Sequence, residues 1–325
     1  MQFRMTETGK VTAIIKVIGV GGGGGNAINT MINNKLQGVE FIVANTDNQG
    51  LQSSLADICL QIGQGNTHGG GAKADLEVGA QAAYDSLEEL KRALNGADMV
   101  FVVAGLGGGT GSGAAPVVAK ICKELGALTV AVVTMPFHFE GRIRERNAKL
   151  GWEELRKNVD TIITVSNDRI FSLMPKNSRL SDILVHVDNV LFQAVKGITD
   201  LVNMQGNTSV DFSDLRTVTL EGGSAIMGVG SAVGENRATE AAERAIGSQL
   251  LEDVGIEGAR GLIINIAATQ ESLTLSDYME VSALIQSKVD EDAKVVLGVF
   301  FDETLGDELR VIVIATGIVF ATRRP

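Results

Sequence analysis

Two glycine runs and a pair of carboxylates hold most of the chemistry this 325-residue chain offers. The run GGGTGSG at 107–113 follows an apolar strand pattern, MVFVVA at 99–104, and leads into a helical pattern over 114–125. A strand, a glycine run and a helix in that order build a backbone cradle for phosphate. Glycines let main-chain N–H groups approach an anion, and the helix N-terminus adds partial positive charge. Thr110 and Ser112 carry hydroxyls able to donate to the same oxygens. No lysine follows these glycines, so this is not the G-x-x-x-x-G-K-[ST] loop. A second run, Gly21 to Gly25, follows an apolar strand at 14–20 and precedes a helix expected to start at Asn26. Either run alone reads equally as a packing turn; the two together argue for an extended phosphate chain held from two sides. Asp211 and Asp214 stand at i and i+3 near a helix start, where both carboxylates can point the same way. From pattern alone Asp211 reads as a helix N-cap.

The elements that must carry these groups alternate in type. Strand patterns at 14–20, 40–45, 99–104, 128–134 and 161–165 are separated by helical stretches such as 82–95 and 142–158. This is the order of a doubly wound parallel sheet, whose ligands bind beyond the carboxyl ends of the strands. Residues 181–204 read as one long helix, with Gly197 the only internal breaker. Beyond it one strong helix, 237–251, is mixed with strand patterns at 261–267, 294–300 and 309–315, which suggests a smaller α+β domain. The expected organisation is therefore 1–180, a central helix 181–204, and 205–325. The alternating charge of 237–251 reads as a solvated face with no chemistry assigned.

Composition narrows the function. A net charge of −11 argues against nucleic acid as a partner, and the chain is long enough to bury two cores. Cys59 and Cys122 lie far apart in apolar surroundings, and the expectation is two buried, reduced thiols in a cytoplasmic protein. No segment has the length and apolarity of a membrane span, and no direct membrane contact is expected. His68, His138 and His186 are isolated, and no metal site is expected from protein side chains. Trp152 reads as a packing residue.

The motifs, in this order, resemble the tubulin/FtsZ family. GGGTGSG matches that family's signature G-G-G-T-G-[ST]-G. The likeness extends over KVIGVGGGGGN at 16–26, GVEF at 38–41, NTD at 45–47, PFHFEG at 136–141 and NDR at 167–169. It continues through DNVL at 188–191, VDFSD at 210–214 and RVIVIATG at 310–317, so that residues 12–318 are covered. The resemblance implies an α/β fold: a parallel-sheet GTPase domain, a long central helix and a C-terminal domain that activates hydrolysis. It implies GTP and GDP as ligands with Mg²⁺, a role for a monovalent cation being left open. It also implies head-to-tail self-assembly at a bacterial division site in the cytoplasm, among other division-ring proteins.

Carried over residue by residue, Gly22, Gly23, Gly24, Gly25, Gly71, Ala72, Gly109, Thr110 and Gly111 would cradle the phosphates. Asn26 would cap the first helix and face the nucleotide. Glu140 and Arg144 would hold the ribose side; without the resemblance they read as an i,i+4 surface ion pair. Asn167 and Asp188 would read the base, with Asn189 able to share that role. A carboxylate accepts from guanine N1–H and N2–H₂ together, whereas adenine leaves it poorly paired. Asp211 and Asp214, with Ser209 two residues before, would act on the nucleotide of the neighbouring subunit.

Four positions depart from the family pattern. Ser209 stands where asparagine is usual, and its shorter hydroxyl is expected to slow turnover. The loop THGGGAK at 67–73 ends in Lys73 where glycine is common, a strained choice if that position needs positive φ. Leu184 replaces a phenylalanine near the base. The chain stops at Pro325, short of the linker and tail peptide through which relatives reach membrane tethers, which reads as a trimmed chain or as recruitment by other proteins. Two other readings stand beside the active GTPase: a structural homologue that binds GTP and assembles with little turnover, and a dinucleotide-binding oxidoreductase.

Overall fold

A computed structural model describes residues 4–5, 11–175, 177–203, 211–220, 223–248, 256 and 258–318. Ser209 and the tail at 321–325 lie outside them. The chain divides into two compact units, 1–195 and 196–325.

Unit 1 begins with a two-residue ladder, β1 (Arg4–Met5) against β2 (Val11–Thr12). Its main body alternates strand and helix. β3 (Ile15–Val20) runs into α1 (Gly21–Asn33), then β4 (Val39–Asn45), α2 (Asn48–Gln52) and β5 (Ile58–Gln61). α3 (Gln64–Thr67), α4 (Leu76–Asp85) and α5 (Leu87–Leu94) lead to β6 (Met99–Gly105) and α6 (Gly109–Glu124). β7 (Leu128–Met135), α7 (Arg142–Lys157), β8 (Thr161–Ser166) and α8 (Asn167–Leu173) complete it. All six strands β3–β8 pair in parallel, in the order β5-β4-β3-β6-β7-β8. Every residue of β3 is buried, because helices cover both faces of a parallel sheet and leave no polar side. β3 and β6 sit side by side with Ile15 opposite Met99. The strand order reverses between them, and the helices that follow these two strands start from the same crevice.

Helix α9 (Leu180–Asn203) is continuous over 24 residues, roughly 36 Å at 1.5 Å per residue, and the division at 195/196 falls within it. Gly197 does not break it. A Cβ there would stand 3.0 Å from Ile312 Cγ2, so the glycine is a packing choice that offsets a helix penalty of about 1 kcal/mol.

Unit 2 holds α10 (Phe212–Leu220), β9 (Gly223–Ala232), α11 (Arg237–Ile246), β10 (Gly261–Ala268), α12 (Leu275–Gln286), β11 (Lys294–Phe301) and β12 (Leu309–Ile318). The strands order β11-β10-β12-β9; β10 and β11 are parallel, and β12 is antiparallel to both its neighbours. Ile226, Ala241, Leu262, Ile264, Val281, Ile285 and Val313 meet in its core.

Three expectations need correction. The single helix at 82–95 is two helices, broken at Ser86, whose hydroxyl accepts the Gly63 N–H at 3.1 Å. The C-terminal region carries, among the described residues, one helix (α12) and one strand (β9) beyond the helix starts expected near 211 and at 237 and the three expected strands. Only one thiol is buried: Cys122 lies inside α6, where burial pushes it up to about 12, whereas Cys59 is exposed on the edge strand β5. Trp152 packs as expected and donates to Thr164 Oγ1 at 2.8 Å.

Candidate functional site

The glycine runs are largely not loops ahead of helices: Gly21 to Gly25 and Gly109 to Gly113 lie within the helices, with Gly107 and Gly108 ahead of the second. α1 starts at Gly21 and α6 at Gly109, so Asn26 lies more than a turn inside α1 and does not cap it. The cap position of α1 is Val20, and no side chain caps either helix. The first N–H groups of both helices therefore have no intrahelical partner and point outward, which suits an anion. The two ends abut: a Cβ on Gly21, whose φ is +74°, would stand 3.0 Å from the Gly111 nitrogen.

The glycines divide into two kinds. Gly24 and Gly111 carry no side chain because backbone lies against them; their Cβ atoms would meet Val103 O at 2.5 Å and Gly105 O at 2.3 Å. Gly109 is equally enclosed, by Asp75 and Ala72, and Gly23 lies against Gly105. Gly22 instead opens on free space, and Gly25 meets only Val43 Cγ1 at 3.6 Å. Ser112 braces the loop from inside: its hydroxyl, on a residue only 1% exposed, accepts the Gly107 N–H at 2.7 Å. The Thr110 hydroxyl shares a 2.6 Å hydrogen bond with that of Thr46.

Thr46 also anchors the loop at 67–73, since its carbonyl accepts from Gly71 N at 3.3 Å. Ala72 is buried under Gly109, and Asn147 Nδ2 donates to Ala74 O at 2.8 Å. Gly71 takes φ +78°, followed by Lys73 at +47° and Ala74 at +60°. Lys73 thus holds a left-handed conformation that L-residues adopt at a cost of about 1 kcal/mol.

Farther along unit 1, Glu140 and Arg144 form the i,i+4 ion pair at 2.6 Å, and Glu140 also accepts the Phe137 N–H at 2.9 Å. Asn167 is buried at the start of α8, and its Oδ1 has no hydrogen-bond partner among the described residues. Asp188, on α9, has its carboxyl pushed up to about 6 by burial. Its neighbour Asn189 accepts from Asn34 Nδ2, at the C-terminal end of α1, at 3.3 Å. An orphaned carbonyl oxygen and a desolvated carboxylate are both acceptors, suited to a ligand edge rich in N–H groups.

Asp211 and Asp214 belong to unit 2 and are exposed at the start of α10. Asp211 Oδ1 accepts the Ser213 N–H at 3.2 Å, which is the capping role, yet both carboxylates also line a groove of about 1070 Å³. Leu273, Leu275, Tyr278, Val299 and Phe301 make its wall largely apolar. No group of three or more His, Cys, Asp or Glu gathers among the described residues. No described helix is long and apolar enough to cross a membrane.

Residues 14–175 match the Tubulin/FtsZ family GTPase domain, and residues 223–319 the FtsZ family C-terminal domain. The cell division protein FtsZ of Pseudomonas aeruginosa is 48% identical over 323 residues, covering 99% of this chain and 82% of that protein. Among solved structures, an FtsZ dimer from M. jannaschii superposes with a TM-score of 0.90 at 41% identity, covering 96% of this chain and 89% of the other. CetZ1 from Haloferax volcanii, at 23% identity and a TM-score of 0.82 with 94% of both chains covered, shares the fold. Paired helix N-termini, a GTPase-domain match and this level of identity converge: the chain belongs to the tubulin/FtsZ family of cell-division GTPases.

Proposed function

We propose that the chain binds GTP with its phosphates at the α1 and α6 N-termini and its base toward Asn167 and Asp188. Copies then stack head to tail, so that Asp211 and Asp214 of one copy complete the site of the next. The observation that carries this reading is the division of labour: every cradle residue stands on unit 1, whereas the carboxylate pair stands exposed on unit 2 beside an apolar groove. A matching surface exists on unit 1. Phe139 and Ile143 are 65% and 67% exposed, Phe139 stacks on Phe137 at 4.8 Å, and Arg142, Arg146 and Lys149 are exposed on the same helix as Ile143. Apolar and basic against apolar and acidic is the complementarity two copies need. The M. jannaschii relative is described as a dimer.

In this reading backbone N–H groups and the Thr110 hydroxyl neutralise phosphate charge, which is most of what phosphoryl transfer asks of a protein. Asp211 and Asp214 accept hydrogen bonds from the attacking water and align it. Bound Mg²⁺ supplies further neutralisation of the phosphates. The Asn167 Oδ1 and the Asp188 carboxylate accept from the guanine N–H edge. Gly71 and Ala72 place their loop against α6, and Glu140 and Arg144 serve the ribose. Action in the cytoplasm at the division site, with other division proteins, belongs to the same proposal.

The test is GTP turnover per molecule as protein concentration rises, with Mg²⁺ present. A threshold with steep onset is expected; a rate per molecule independent of concentration would sink the shared site. Asp211→Asn should lower turnover about 10³-fold at every concentration while leaving GDP affinity within about twofold. A second reading, a homologue with little turnover, draws on the strained Lys73 and on Ser209; GTP binding without turnover in the unaltered chain would favour it.

A further inference from the structure

Arg237 opens α11, the end of a helix where a cation meets the unfavourable pole of the backbone dipoles. It is also only 8% exposed. A buried cation in that place needs partners, and it has them. Nη2 donates to Asp277 Oδ2 at 2.8 Å, and Nε to Asp277 Oδ1 at 3.4 Å. Nη1 donates to the Asp307 carbonyl at 3.0 Å, and Nη2 also to the carbonyl of Ser272. Asp277 in turn closes a capping box at the start of α12, accepting from Thr274 N at 3.0 Å and Thr274 Oγ1 at 2.9 Å. One guanidinium therefore joins the α11 start, the 269–275 segment and the turn after β11. Lysine, a point donor, lacks the planar fork that reaches a carboxylate and two carbonyls together.

The 269–275 segment is a wall of the groove that Asp211 and Asp214 share. Gln270, Leu273, Thr274 and Leu275 all line it, and Leu275 is 74% exposed. We infer that Arg237 is a positioning residue for assembly: through Asp277 and Thr274 it holds this wall in the shape that receives the next copy. The inference rests on the shared-site reading above. It places the role on a residue outside both the nucleotide site and the carboxylate pair. Burial alone would raise the Asp277 proton affinity, yet the Arg237 fork and the Thr274 donors outweigh it and hold the carboxyl below its ordinary value. The Asp277 carboxylate therefore stays ionised at neutral pH.

The experiment compares unaltered protein with Arg237→Lys and Leu275→Ser for GTP turnover against protein concentration, GDP affinity and melting temperature. Arg237→Lys should raise the turnover threshold about tenfold, with GDP affinity unchanged within twofold and the plateau rate per molecule recovered at high concentration. A structural role alone would lower the melting temperature and leave the threshold where it was, at temperatures where the variant is folded; that result overturns the proposal. Should Arg237→Lys not fold, Leu275→Ser decides, because an exposed rim residue is not needed for folding: an unmoved threshold refutes the wall's role. A concentration-independent rate in the unaltered protein would instead refute the shared site itself.

Discussion

The cradle of unit 1 and the groove of unit 2 are built from different materials. At the cradle the groups proposed to face phosphate are backbone N–H at two helix ends, and Gly24, Gly109 and Gly111 beside them are glycine because other backbone occupies the space a Cβ needs. At the groove the chemistry is carried by side chains: two carboxylates and a largely apolar wall whose Thr274 is tied through Asp277 to Arg237. A site made of backbone holds its charge pattern at any pH but, at Gly24, Gly109 and Gly111, admits no added atom. A site made of side chains tolerates changes of size at its rim and depends on charge and on what orients it.

The largest effect that would sharpen this contrast comes from one methyl group. Gly111→Ala puts a Cβ 2.3 Å from a carbonyl oxygen with backbone on both sides, and should cost about 3 kcal/mol of stability, the upper end of overpacking. Chemical denaturation reads it, and a loss under 1 kcal/mol would mean that the cradle flexes. Next comes pH, which separates the two ends of the nucleotide site. In the proposed site Asp188 must be ionised to accept guanine N–H groups, and burial pushes its carboxyl in the free protein up to about 6. GDP affinity should fall about fivefold from pH 6 to pH 5, and Asp188→Asn should lack that slope while keeping the nucleotide's own titration. Stability of the free protein runs the other way. With its folded value raised above 3.8, Asp188 contributes stability that is complete below pH 4 and lost as pH rises through 6. The smallest effect is at Lys73, where φ is +47°. Lys73→Gly relieves about 1 kcal/mol of left-handed strain and loses roughly half of that to chain entropy, for a net gain of about 0.5 kcal/mol in a melting experiment.

The parallel half of the fold was legible because its strands are buried on both faces and read as unbroken apolar runs. β5 and β9 were not. β5 is an edge strand of four residues, and β9, GSAIMGVGSA, is poor in the β-branched residues that mark a strand. α12 was missed because its apolar residues do not gather into one stripe. At the site, the residue types were readable and their local geometry was less so. Glycine's low helix propensity placed the α1 start at Asn26, whereas tertiary packing drew Gly21 to Gly25 into the first turn. Ser112 looked like a ligand hydroxyl and is a loop brace. Arg237 looked solvated because its partners Asp277, Ser272 and Asp307 lie 35 to 70 residues away, beyond any local pattern.

The close approach at Gly24, Gly109 and Gly111 also reaches into heredity. Any missense change at a glycine codon adds at least a Cβ, and at these three positions a Cβ has nowhere to go. No single-nucleotide substitution that alters the residue is therefore neutral there, and a population can explore this part of the gene only through silent changes. Lys73, one loop away, sits on backbone that would accept glycine with a gain, and is open to drift. The same cradle joins some of the least mutable codons of the chain to one of its freer ones.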